Sequence, residues 1–546
     1  MSTFDRAEFL FRTPLRTVNA GSAFVFLLAF ALAAPALDQP PRHDELYHLL
    51  AARGLLTVGE PRIGDGFYVR GLEYTYLAAL SLRIFGETLP AARLPALLAA
   101  AAIPAVLFFW LYRTGRPAAA WFASLSWLSS PFFIEIATFA RFYSIQTLAF
   151  TIGAILLERA RTRAFPISFA HTLTGVATLV FAIHLQPVTL FGVAGLALWL
   201  MVDELPKEWT RRRWLRWSFL IALPLFFLLP LLFPDFLASL WMRFRTAEAF
   251  NARFRDAIWF YHAWYQLYYP GLWSLTPLLA ALALVRAPSL ALFTICTFTV
   301  PFVLASLAAP KATRYLAFAQ PFLFTLWGLA LAELGKLAAR FLCGLRRPFA
   351  IGLLRFPSGY VLFIPALALT MLAQPFWVRT LAFLLGFRLP FEAPTPDWAS
   401  VAARLRREAA TVSVVMGPHD VYNFFYIGRH DITFSPSKYN ELRSEPPGPW
   451  RYDPRTGRPV LSETRYLERL FSCYPSGMFV IMTSYLDKSF ALPPSAREFL
   501  ERNTVRLPLP AASGVTAFVW RHEPAVPADS FCSDLHTHSR LAVEGR

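Results

Sequence analysis

Two adjacent carboxylates open the chemistry of this chain. Asp44 and Glu45 stand in Arg42-His43-Asp44-Glu45-Leu46-Tyr47-His48, a few residues after a strongly apolar run. An ionisable group beside hydrocarbon is expensive and usually faces a cavity or a partner. Asp44 therefore reads as a general base, with Glu45 or His48 orienting it. The alternative is a helix start, with Asp44 as N-cap and Glu45 in the first turn against the helix dipole. Cations recur near aromatic rings: Arg70 in Tyr68-Val-Arg70-Gly-Leu-Glu73-Tyr74, Arg141 before Tyr143, and Lys311 before Arg314-Tyr315. Arg141 and Arg314, at the ends of apolar runs, can snorkel to lipid headgroups. No P-loop or dinucleotide-binding glycine pattern is present. Cys532-Ser-Asp-Leu-His536-Thr-His538 imitates a metal cluster but matches no zinc spacing.

The elements that must position these residues are mostly membrane helices. Of the 546 residues 56% are hydrophobic and only 16% charged, with a mean hydropathy of +0.43. A soluble domain carries about 25% charged and about 45–50% apolar residues, so a cytosolic enzyme is excluded. The 52 Phe, 16 Trp and 19 Tyr exclude disorder. A formal charge of +17 invites a nucleic-acid reading, but its distribution argues against one. Residues 391–546 hold 18 basic and 17 acidic side chains, leaving 34 basic and 18 acidic in the hydrophobic part, where short basic loops orient spans.

A span needs about 20 apolar residues. About eleven runs qualify: Ala20–Leu37, Leu89–Tyr112, Pro117–Ala140, Phe142–Leu157, Phe165–His184, Pro187–Val202, Ser218–Phe233, Gly271–Val285, Leu290–Ala309, Tyr315–Leu334 and Gly359–Ala373. The basic leader before the first suits an uncleaved helix rather than a signal peptide. Positive-inside logic makes the N-terminus cytoplasmic and sends Asp38–Thr88, Pro234–Pro270 and the tail to the outer side, the periplasm of a bacterium. The chain thus divides into a membrane domain, 1–390, and a soluble domain, 391–546. In the latter, helical spacing at Trp398–Ala409, Tyr466–Phe471 and Ala496–Asn503 alternates with strand-like Val412–Met416, Phe424–Ile427, Met478–Met482 and Val515–Arg521, which predicts an α/β module. Glu445–Val460 reads as a loop. Cys473 and Cys532 both fall in this domain, either bridged or as free thiols.

Taken together, four features resemble the GT-C superfamily of integral-membrane glycosyltransferases, in particular the bacterial family 39-like group related to protein O-mannosyltransferases and the aminoarabinose transferase. They are the Asp44-Glu45 pair, Phe85-Gly86 with Ala92-Arg93-Leu94-Pro95, Arg141 with Tyr143, and Arg314-Tyr315 with Pro321, together covering about residues 20–335. The family's aromatic-Pro-Pro-Leu-Tyr-Tyr segment is represented only by Gly71-Leu-Glu73-Tyr74-Thr-Tyr76. The resemblance implies a helical multi-pass fold that takes a monosaccharide from a polyprenyl-phosphate carrier and gives it, with inversion, to a lipid, protein or glycan acceptor at the outer face. It implies Asp44 and Glu45 as catalytic residues, and Arg70, Arg141, Tyr143, Lys311, Arg314, Tyr315 and His48 as substrate contacts. The expected partners are the carrier-linked donor, the acceptor and membrane lipids, with no nucleic acid. No nucleotide is required, and a divalent metal is left open. The rival readings are a lipid or polysaccharide transporter, which would favour charges deep in several spans, and an inactive assembly scaffold.

Overall fold

A computed structural model describes residues 15–203, 255–345, 396–442, 448–522 and 531–532. Its contacts divide the chain into two compact units. One comprises Met1–Ala36, Ala96–Thr138 and Phe142–Pro390, the other Leu37–Pro95, Phe139–Arg141 and Phe391–Arg546.

This is a helical membrane protein. Among the described residues five helices are long and apolar enough to cross a bilayer: Leu15–Asp38, Leu89–Arg113, Ile167–Leu185, Pro288–Leu307 and Ala317–Leu337. A sixth results if Phe260–Tyr268 and Pro270–Arg286, bent by 106°, count as one span. The expected runs Ser218–Phe233 and Gly359–Ala373 lie outside the described residues. The run Pro117–Ala140, read as one span, is two helices, Pro117–Leu128 and Pro131–Ala137. Ser130 makes the break by accepting a hydrogen bond from the Phe132 amide, and Pro131 fills the first helical position, where its missing N–H is harmless. The expected span at Tyr315 begins instead with 3-10 turns at Thr313–Tyr315 and Ala317–Ala319, ahead of the helix Gln320–Leu345.

The second unit holds two helices, His43–Val58 and Leu72–Phe85, joined through a small hairpin of β1 (Arg62–Ile63) and β2 (Gly66–Phe67). It also holds a seven-stranded sheet. Its strands are β3 (Val414–Gly417), β4 (Ile432–Phe434), β5 (Arg451–Asp453), β6 (Arg458–Leu461), β7 (Ser476–Met482), β8 (Val505–Arg506) and β9 (Val515–Arg521), in the order β5-β6-β4-β3-β7-β9-β8. The central β6-β4-β3-β7 ladder is parallel and the flanking pairs are antiparallel. β7 is buried from Gly477 to Met482, the continuous apolar pattern of a strand covered on both faces. Helices supply the covers through stripes at helical spacing: Trp398, Val401, Ala402, Leu405 and Ala409 in Trp398–Ala409, and Leu467, Leu470 and Phe471 in Thr464–Cys473.

Two local expectations are overturned. Phe424–Ile427, read as strand, lies in a π-helical turn, Asn423–Ile427, closed by Gly428 at φ +88°. Short apolar runs do not separate strand from helix by periodicity. Here the deciding contacts are the stacks of Tyr422 and Tyr426 on Trp398, at 5.3 and 6.0 Å. Glu445–Val460, read as loop, contains β5 and most of β6, a hairpin whose Arg and Pro content masks its alternation.

Candidate active site

The helix His43–Val58 begins with two carboxylates in different environments. Successive residues on a helix point about 100° apart, so Asp44 and Glu45 face different neighbours. Glu45 is fully buried. Its oxygens accept from Arg93 Nη2 at 2.5 Å and Nε at 3.0 Å, from the Arg42 amide at 2.6 Å and from the Ala140 amide at 2.9 Å. Arg93, also buried, donates its remaining N–H groups to the carbonyls of Leu37, Gln39 and Pro40. Five positions of the chain therefore meet at one sealed ion pair. Asp44 is 38% exposed, and its Oδ2 accepts from Arg141 Nη1 at 2.6 Å. Arg141 is buried, with its guanidinium 5.7 Å from the Phe139 ring centre. Asp44 is not the N-cap: Arg42 holds that place and Asp44 is the second helical residue.

His48 lies one turn further on, buried between the rings of Tyr68 and Tyr74 at 5.0 and 5.2 Å, with Nδ1 2.9 Å from Thr75 Oγ1. Burial first, then the positive charges of Arg141 and Arg70, hold its imidazole well below its ordinary range. It is neutral at physiological pH, so it can offer a hydrogen bond but no charge. Arg70 itself is exposed, just before the helix Leu72–Phe85.

The other predicted residues belong to the first unit. Tyr143 opens the helix Tyr143–Ala160 and is buried. Arg314 Nε points at Tyr143 Oη from 3.4 Å, a long contact, and the guanidinium lies 5.7 and 5.6 Å from the Tyr143 and Tyr315 ring centres. Tyr143 and Tyr315 are 6.3 Å apart. Lys311 donates to the carbonyls of Ala305, Ser306 and Ala308 at 3.0, 2.6 and 2.6 Å. These close the helix Pro288–Leu307, whose last carbonyls carry the negative end of its dipole.

Two residues had no site role in the sequence reading, although Arg93 stood in one of its motifs. Glu135, half-buried on Pro131–Ala137, accepts from Thr313 Oγ1 at 2.8 Å, directly beside Arg314 in the chain. It is the one acidic or basic residue between Pro117 and Ala140, which alone marks it for attention. Arg93 is likewise the one charge between Thr88 and Tyr112, yet no spacing pairs it with Glu45. Among the described residues no group of three or more His, Cys, Asp or Glu is arranged to hold a metal ion. Cys532 is bridged to Cys473, and His536 and His538 lie outside the described residues.

No protein-family model matches the sequence, and no curated protein matches it at a significant level. Solved structures do match. ArnT from Cupriavidus metallidurans in the apo state aligns with a TM-score of 0.60 at 15% identity, covering 93% of this chain and 99% of that one. The same protein bound to undecaprenyl phosphate aligns with a TM-score of 0.54 at 15% identity over the same shares. At this identity the likeness establishes the fold alone: an ArnT-like, mostly helical fold with a strand-containing C-terminal domain.

Proposed function

We propose that this protein is a membrane glycosyltransferase that moves a monosaccharide from a polyprenyl-phosphate carrier to an acceptor hydroxyl, with inversion at the anomeric carbon. The observation that carries the reading is the division of labour at the helix start. Glu45 is locked into a saturated ion pair, while Asp44, one residue earlier, keeps a partly exposed side chain oriented by Arg141. A buried structural acid beside an accessible, aimed one is what a positioned general base requires. The fold shared with a protein crystallised with undecaprenyl phosphate supports the carrier class.

In this mechanism Asp44 takes the proton of the acceptor hydroxyl as that oxygen bonds to the anomeric carbon. The bond from that carbon to the phosphate oxygen breaks, and polyprenyl phosphate leaves as the anion. The family resemblance assigns the carrier phosphate to Arg314, which Tyr143 and Tyr315 frame within the first unit, and Lys311 fixes the helix end next to it. Arg141 orients Asp44, while Arg70 and neutral His48 border the same helix start. The bridge between Cys473 and Cys532 supports an oxidising compartment for the C-terminal domain, the periplasmic side of an inner membrane.

The test is sugar transfer in vesicles holding the purified protein, with radiolabelled polyprenyl-phosphate sugars and an envelope extract as acceptor. Asp44→Asn is expected to lower transfer by about 10²- to 10⁴-fold, the contribution of a general base, while elution and thermal unfolding stay unchanged. Undiminished transfer by Asp44→Asn removes it as the base. Absence of transfer by the parent from every carrier tried favours a transporter or scaffold.

A further inference from the structure

A buried ion network of the C-terminal domain ends on the helix that carries Asp44. Lys438 is 8% exposed, and its ammonium is held between Asp420 and Asp453, 2.5 Å from Asp453 Oδ2. Asp453, fully buried, accepts through Oδ1 from Arg455 Nε at 2.8 Å and from the Arg455 amide at 3.0 Å. The Arg455 guanidinium then lies 5.2 Å from the ring centre of Tyr47. Tyr47 is one turn along from His43, with the two rings 5.5 Å apart, and it stacks on Tyr68 at 5.1 Å. A second strut starts from the same place. Tyr422, two residues after Asp420, donates from Oη to the carbonyl of Pro41 at 3.2 Å, and its ring lies 5.8 Å from that of His43.

A backbone clasp reinforces both struts. The β1–β2 hairpin grips the β5–β6 turn through the Asp65 amide on Thr456 O at 3.2 Å and the Phe67 amide on Pro454 O at 2.9 Å. Arg458 Nη1 pairs with Asp65 Oδ2 at 2.8 Å. Gly66 and Gly457 let the two turns approach, since a Cβ on Gly66 would fall 2.3 Å from the Gly457 nitrogen.

We propose that the Lys438–Asp453–Arg455 chain and Tyr422 are positioning residues for Asp44, so that the C-terminal domain is a working part of the transferase. The inference rests on Asp44 being the base. Its physical reason is that proton transfer tolerates little displacement: about 1 Å of misplacement from a remote change is enough for a 10²-fold loss. Burial opposes the charge on Lys438, but Asp420 and Asp453 outweigh it and keep the ammonium protonated. A charge-locked anchor has directional geometry that an apolar one lacks.

Tyr422→Phe and Arg455→Met in the full-length protein in vesicles test the inference. Tyr422→Phe removes one hydroxyl and leaves the ring on Trp398. Each is expected to lower kcat about tenfold or more, with KM for the carrier-linked sugar within twofold. Arg455→Lys, which keeps the charge, is expected to recover part of the loss. In an Asp44→Asn background neither change lowers the residual transfer further, a non-additivity that general loss of folded protein would not give. If Asp44→Asn abolishes transfer but Tyr422→Phe and Arg455→Met stay within twofold of the parent, the positioning inference is overturned and the base reading stands. If Asp44→Asn transfers normally, the base reading falls and the inference falls with it.

Discussion

At the scale of single residues, adjacency conceals a difference in role. Asp44 and Glu45 are neighbours of the same type, and nothing in their order says which is sealed and which is open. Arg93 decides it, from 48 positions away. Removing one partner from a buried ion pair leaves an uncompensated charge and costs about 3–5 kcal/mol. Arg93→Met is therefore expected to destabilise the protein by that amount, read from denaturant unfolding in detergent, where a cost under 1 kcal/mol would count against a structural role for the pair. His430 and His419 give the pH dependence. Burial pushes both imidazoles down to about 3, against about 6.5 in an unfolded chain. Below about 6.5 the unfolded state binds protons that the folded state refuses, so stability falls as pH falls. The loss continues to about pH 3, at up to about 2.7 kcal/mol per pH unit for two groups. The protection of the β3 amides against hydrogen exchange in the full-length protein, with the intrinsic pH dependence of exchange divided out, should fall through that window, and constant protection would contradict neutral, buried histidines.

At the scale of elements, the sequence reads best where a pattern is local and repeated. Trp398–Ala409 and Val515–Arg521 match their expected bounds because apolar spacing alone defines them. Pro117–Ala140 fails because hydropathy averages across the Ser130-Pro131 break, and Phe424–Ile427 fails because an aromatic stack outside the run chooses its shape. The cation loop shows how an element redirects a side chain. Lys311 and Arg314 look equivalent in sequence, but Lys311 closes a helix end. Lys311→Met is expected to cost about 0.3–2 kcal/mol of stability and to change KM for the carrier by less than about threefold. Arg314→Met is expected to raise that KM about ten- to hundredfold, the worth of a charged hydrogen bond. Initial-rate titrations of the two variants separate them, and a larger KM effect for Lys311→Met would reverse the assignment.

At the scale of the whole molecule, the contacts group Leu37–Pro95 with the C-terminal domain, although about 300 residues separate them in the chain. The bridge between Cys473 and Cys532, 59 residues apart, closes the last helix, strand and tail segments of that unit into one loop. Losing a native disulfide of this kind costs about 2–5 kcal/mol. Cys473→Ser is accordingly expected to lower the thermal midpoint of the full-length protein and to leave KM for the carrier unchanged. A midpoint equal to that of the parent would mean that the bridge contributes nothing to stability.

Composition was sufficient to read a helical membrane protein, and local apolar spacing to read a C-terminal domain with strands, because membrane insertion and core burial depend on summed apolar surface. Residue type and order were also sufficient to single out Asp44, Arg141 and Arg314, since charges near hydrocarbon are few. The burial of Glu45 by Arg93, the neutrality of His48, the helix-capping role of Lys311 and the struts from Lys438 and Tyr422 to the Asp44 helix were decided only by tertiary structure. Each depends on a partner tens to hundreds of residues away or on the local backbone path, and an ion pair or a stacked ring leaves no periodicity in the chain.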